Sequence, residues 1–134
     1  MPLINGIHHV AIKTMPSQFD RVVWFYTKLL QLTTVRSWGD SDNRGTMLST
    51  GDNSVLEIIS DTSANTSGIG AYRHIAFSVN DVDQLTEIVR NQGFIIQVEP
   101  KDVTIQCEKP YNLRIAFCRG VLDEQIEFFH EKSN

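Results

Sequence analysis

The chain runs through two hydrophobic rhythms, and it does so twice. Residues 7–13 read Ile7-His8-His9-Val10-Ala11-Ile12-Lys13, and residues 72–79 read Tyr72-Arg73-His74-Ile75-Ala76-Phe77-Ser78-Val79. Placing His9 on His74 pairs Val10 with Ile75, Ala11 with Ala76 and Ile12 with Phe77. Alternation of this kind predicts a strand with two distinct faces. Val10, Ile12, Ile75, Phe77 and Val79 are expected to pack on a helix, while His9, Ala11, Lys13, His74, Ala76 and Ser78 face the other way.

A helical rhythm follows each strand. After Pro16, Ser17 is the expected cap, with Asp20 near the positive end of the helix. Phe19, Val22, Val23, Tyr26, Leu29 and Leu30 then recur at helical spacing. In the second half Asn80 is the expected cap, Val82, Leu85, Ile88 and Val89 form the stripe, and Gly93 is the expected stop. Three strand-like runs come next in each half, near 33–38, 45–50 and 54–60, and near 95–99, 103–108 with 113–118, and 125–130. Each half thus reads strand, helix, three strands. Module one covers 5–61 and module two 72–131, joined by a linker at 62–71 rich in Ser, Thr, Asn and Gly. Neither half is expected to be stable alone. The fold class expected is α+β: two paired βαβββ modules in one domain, 1–134, forming a curved sheet cup.

Composition narrows the partners. A formal net charge of -4 with no cluster of Lys and Arg argues against nucleic acid. No apolar run is long enough to span a bilayer, and no charged start leads into an apolar block, so no membrane association and a cytoplasmic protein are expected. A hairpin around 109–112 would set Cys107 opposite about Arg114 and not Cys118, so both cysteines are expected to be reduced.

The candidate chemistry lies in the last strand of each half. Val55-Leu56-Glu57-Ile58-Ile59 matches Gln125-Ile126-Glu127-Phe128-Phe129, each with a carboxylate inside an apolar run. Alternation puts Glu57 and Glu127 on the face that carries His9 and His74. An unpaired carboxylate on a half-buried face costs several kcal/mol or takes up a proton. A divalent cation would compensate. One strand His or Glu alone reads as a satisfied or solvated side chain, but both recur in the same order and face register, 48 residues apart in one half and 53 in the other. The expectation is one divalent ion per site, held by His9, Glu57, His74 and Glu127, whose two carboxylates balance its charge. Mixed N and O donors suit Ni, Co, Fe, Mn or Zn and leave two positions for a small-molecule substrate with neighbouring oxygens. Arg36, Arg44, Arg73 and Arg114 are candidates to anchor an anionic substrate, with a solvated surface charge the better prior for each. His8 is expected to point away from His9, and His130 to lie on the surface. Trp24 and Phe25 flank the helical stripe and Trp38 follows a strand, with core packing the default for all three.

Across nearly its whole length the chain resembles the glyoxalase/bleomycin-resistance/extradiol-dioxygenase group, the vicinal-oxygen-chelate superfamily. Members pair two βαβββ modules around a metal cup, and the motif residues fall on His9, Glu57, His74 and Glu127. The set looks most like bacterial glyoxalase I. Extradiol dioxygenases are similar but have no carboxylate at the position of Glu57, and bleomycin-binding members lack the set. The resemblance implies a metal-dependent lyase or isomerase acting on a substrate chelated through vicinal oxygens, such as the hemithioacetal of methylglyoxal. Glu127 would be the base and Glu57 its partner. A ring-cleaving dioxygenase and a non-catalytic drug- or metabolite-binding module are the alternatives. A homodimer is implied as well.

The pattern departs from glutathione-dependent members at two places. An arginine that helps hold the glutathione carboxylate aligns with Lys13, which joins Arg73 and Arg114 as the substrate-binding candidates. An asparagine with the same task falls near Asp61, whose charge would repel that carboxylate. The Asp-Pro-Asp-Gly turn before the last strand is replaced by Arg119-Gly120-Val121-Leu122-Asp123. The metal set therefore follows the family pattern, and the glutathione site does not.

Overall fold

The structure is a computed structural model that describes residues 7–64, 74–106 and 109–132. The chain divides into two units, Met1–Thr66 and Ser67–Asn134. Each repeats the strand, helix, three-strand order that the two rhythms predict.

Unit one runs β1 (His9–Thr14), α1 (Pro16–Trp24), a π turn (Phe25–Leu29), β2 (Thr33–Asp40), β3 (Asn43–Ser49) and β4 (Val55–Ser60). The sheet order is β1-β4-β3-β2, with β1 parallel to β4 and the other pairs antiparallel. Leu48, Leu56 and Ile58 are buried with Phe19, Val22, Tyr26 and Leu29, the apolar stripe of α1 and its π turn. The helix starts at Pro16, with Met15 as a cap that has no side-chain hydrogen bond. Ser17 is therefore not the cap: proline's fixed φ and missing N–H suit the first turn and set the start two residues earlier. Asp20 stands beyond the first turn and binds Arg44 instead, at 2.9 Å. In the π turn the Leu30 amide donates to the Phe25 carbonyl. The wider turn buries Phe25 beside Tyr26, so Phe25 belongs to the core, while Trp24 stays half-buried under Arg21. Trp38 lies within β2 and not past its end.

Unit two runs β5 (Ile75–Ser78), α2 (Val82–Asn91), β6 (Ile96–Ile105), β7 (Tyr111–Arg119) and β8 (Gln125–Glu131). Its order β5-β8-β7-β6 repeats that of unit one, again with the first and last strands parallel. The cap of α2 is Asp81, whose carboxylate accepts the Gln84 amide at 2.9 Å, and not Asn80. The helix ends as expected at Gly93, with φ +88°, where the Gly93 and Phe94 amides donate to the Arg90 and Val89 carbonyls. The runs near 95–99 and 103–108 are one strand, β6, interrupted where the register shifts between Val98 and Lys101. Pro100 lies at that break and lacks a ladder donor. Asp102, and not the expected Cys107, is the register partner of Arg114. Cys107 itself lies outside the described residues, as do Arg73 and most of the expected linker.

Both sheets carry an irregularity at the matching place, between Thr34 and Arg36 on β2 and between Ile96 and Val98 on β6. No helix among the described residues is long and apolar enough to cross a membrane.

Candidate metal centre

Parallel pairing of the first and last strands brings each His to its Glu. Ala11 is the register partner of Glu57, and Ala76 that of Glu127. His9 and His74 each stand two residues before that alanine, so each reaches its Glu along the same diagonal on one sheet face. His9 Nε2 lies 3.6 Å from Glu57 Oε1, and His74 Nε2 lies 3.2 Å from Glu127 Oε1. The carboxylates are sheltered, at 13% and 11% side-chain exposure, while the imidazoles are 42% and 38% exposed. Burial pushes the Glu127 carboxyl above its ordinary range, and His74 opposes that only in part.

The neighbours of the pairs come from strand register, which no local pattern reveals. Met47 is the register partner of Glu57 and Phe117 that of Glu127. The Phe117 ring meets the His74 ring edge-on at 5.3 Å between centroids. One further strand out, the rows end on Arg36 in unit one and Val98 in unit two. His8 does not point away: its Nδ1 lies 2.9 Å from His9 Nδ1. It precedes the first residue of β1, where strict alternation no longer applies. His130 is not a plain surface residue either, since it is half-buried with Nδ1 2.9 Å from the Val79 carbonyl oxygen.

The cationic candidates divide by sheet face. Arg114 shares the register of His130, one residue out of phase with Glu127, and so lies on the side of the sheet that faces α2. Its guanidinium is bound there by Asp83 at 2.6 and 2.8 Å and by Asp102 at 3.1 Å. Lys13 is on the Glu57 face but pairs with Asp61 at 3.4 Å. Hydrogen bonds from Ser63, with Lys13 adding to them, hold the Asp61 carboxyl below the usual range. Arg44 stacks on Phe19 at 4.3 Å and binds Asp20, away from the Glu57 face.

Each unit by itself presents one imidazole nitrogen toward one sheltered carboxylate oxygen, the N and O donor types that divalent transition ions take. The structure brings His9 to Glu57 and His74 to Glu127, and no group of three or more His, Cys, Asp or Glu that could hold a metal ion occurs among the described residues.

A family model described as the Glyoxalase/Bleomycin resistance protein/Dioxygenase superfamily matches residues 6–108. A search of curated proteins finds no match. Among solved structures, the chain is similar to the trypanothione-dependent glyoxalase I of Leishmania major, with 25% identity, TM-score 0.70, and 96% of this chain and 88% of that one covered. It is similar to a glyoxalase family protein from Bacillus anthracis, with 18% identity, TM-score 0.72, and 98% and 99% covered. The fosfomycin resistance protein FosX from Listeria monocytogenes gives 16% identity, TM-score 0.70, and 97% and 96% covered.

Proposed function

Because the chain belongs to the glyoxalase/bleomycin resistance/dioxygenase superfamily, we propose that it is a metal-dependent lyase or isomerase of glyoxalase I type. The observation that carries this reading is the twice-built His–Glu pair, His9 with Glu57 and His74 with Glu127, each on the diagonal beside an alanine. These four residues would hold one Ni, Co, Zn, Mn or Fe ion. When bound, such an ion polarises two neighbouring substrate oxygens and acidifies the adjacent C–H.

The remaining work falls to the chain's own residues. Glu127 removes the proton from carbon, and Glu57 stands as its counterpart in returning it. Both carboxylates are sheltered from bulk water, which limits loss of the transferred proton. His74 is held edge-on by Phe117, so its ring orientation is fixed by packing. The Lys13–Asp61 pair supports a substrate whose thiol portion is not glutathione, because the lysine's charge is already matched. The functional unit in this reading is a homodimer.

The test is elemental analysis of purified protein after chelation and reloading, beside His74→Ala and Glu57→Ala. About one ion per four-ligand set in the native protein, lost in both variants, is the expected result, followed by turnover of methylglyoxal with one of several thiols. Folded native protein that takes up no ion under any loading would sink the reading.

A further inference from the structure

We propose that Arg36 is the specificity-determining anchor for an anionic group on the substrate; this rests on the metal-centre reading above and names the substrate class it implies. Direct register partners share a sheet face. Arg36 pairs with Met47, Met47 with Glu57 and Glu57 with Ala11, so one row crosses the whole sheet of unit one on the face that carries His9. Two strand spacings separate Arg36 from Glu57, roughly 10 Å between backbones. A substrate a few bonds long and an arginine side chain span that distance together.

Arg36 also differs from the other described arginines in having no side-chain partner among the described residues. Arg21 lies over Trp24, Arg44 binds Asp20, Arg90 binds Glu87 and Glu99, Arg114 binds Asp83 and Asp102, and Arg119 binds Asp123. Arg36 is exposed, and none of its five donors has a partner among the described residues. Its neighbour on the same face is Trp38, whose indole lies over Gly45 where any added Cβ would collide with the ring. An exposed guanidinium beside an aromatic wall, on the face of a His–Glu pair, suits a carboxylate or phosphonate joined to the chelating oxygens by a short apolar stretch. The matching row of unit two ends on Val98, so the repeat itself does not demand a cation there. The substrate class assigned is an acid with vicinal oxygens at one end and an anionic group at the other.

The test uses two probes on the reloaded full-length protein: the monohydroxamic acid of succinic acid, which has a chelating end and a carboxylate end, and its primary amide, in which the far end is neutral. Metal content is measured first, then affinity by calorimetry. Arg36→Met should retain the native metal content, lose roughly ten- to a hundredfold in affinity for the acid, and bind the amide as the native protein does. Arg36→Lys should recover part of the loss. Equal affinities of native and Arg36→Met protein for the acid, a parallel loss for both probes, or no binding of either probe by metal-loaded native protein would overturn the anchor and leave the metal centre standing. Native protein that takes up no metal would overturn the metal-centre reading and the anchor with it.

Discussion

Ala76 stands directly across the sheet from Glu127, and its small side chain leaves open the diagonal by which His74 Nε2 comes within 3.2 Å of the carboxylate. Ala11 does the same for Glu57 and His9. A larger residue at either alanine should block the diagonal without touching a candidate ligand. Ala76 is exposed, so Ala76→Leu should leave the fold intact. Metal affinity should fall roughly ten- to a hundredfold, the range seen when a ligand loses its support. Circular dichroism beside metal titration checks this, and unchanged affinity in a folded variant counts against the geometry.

Burial raises the Glu127 carboxyl above its ordinary value. Between the unfolded and folded values, the folded protein holds more protons than the unfolded chain. Stability of the metal-free protein should therefore fall as pH rises through that window and stay lower above it. Glu127→Gln should lack this fall. Urea midpoints of both proteins across pH 4 to 8 test the sign, and a native midpoint that instead climbs over the Glu127→Gln curve would contradict it.

The hub at Arg114 acts in the opposite direction. Its hydrogen bonds are the largest cause holding the Asp83 and Asp102 carboxyls below the usual range. Their contribution is complete above the ordinary Asp value and is lost as pH falls through the depressed folded values. Arg114→Met should lower the melting temperature slightly at neutral pH and flatten its decline in acid. Because both carboxylates are exposed, the effect should shrink in high salt. An acid decline as steep as the native one would show that the hub contributes nothing.

Gly39 has φ +77°, and a Cβ added there would fall on the Asn43 carbonyl oxygen across the β2–β3 turn. Backbone cannot step aside as a side-chain tip can. Gly39→Ala should cost about 2 kcal/mol in chemical denaturation, from the left-handed conformation and the clash together. Gly51→Ala meets no atom nearby and has only the conformational part, at φ +110°. Equal costs for the two would rule out the clash.

What could be read from the chain alone was whatever repeats locally. The alternation around His9 and His74, the carboxylate inside each last strand and the Gly93 stop all follow from a few neighbouring residues, and all recur in the structure. Local signals also misled where two competed. Pro16 outranked Ser17 for the start of α1, and Asp81 outranked Asn80 for α2. The π turn that buries Phe25 breaks the helical period on which the stripe was counted. The placement of the arginines was not legible at all. Whether Arg36 or Arg114 shares the face of a glutamate depends on strand register and on the irregularity after Thr34, both set by pairing between distant residues.

The strand order has a consequence for synthesis. β4 lies between β1 and β3, and β8 between β5 and β7, so the last strand of each module enters at an interior position of its sheet. A growing chain that already displays His9 has nothing to set beside it until Glu57 has been made and its strand has slotted in, a long loop closure late in folding. Any ligand that needs both members of a pair is therefore captured only by a finished module.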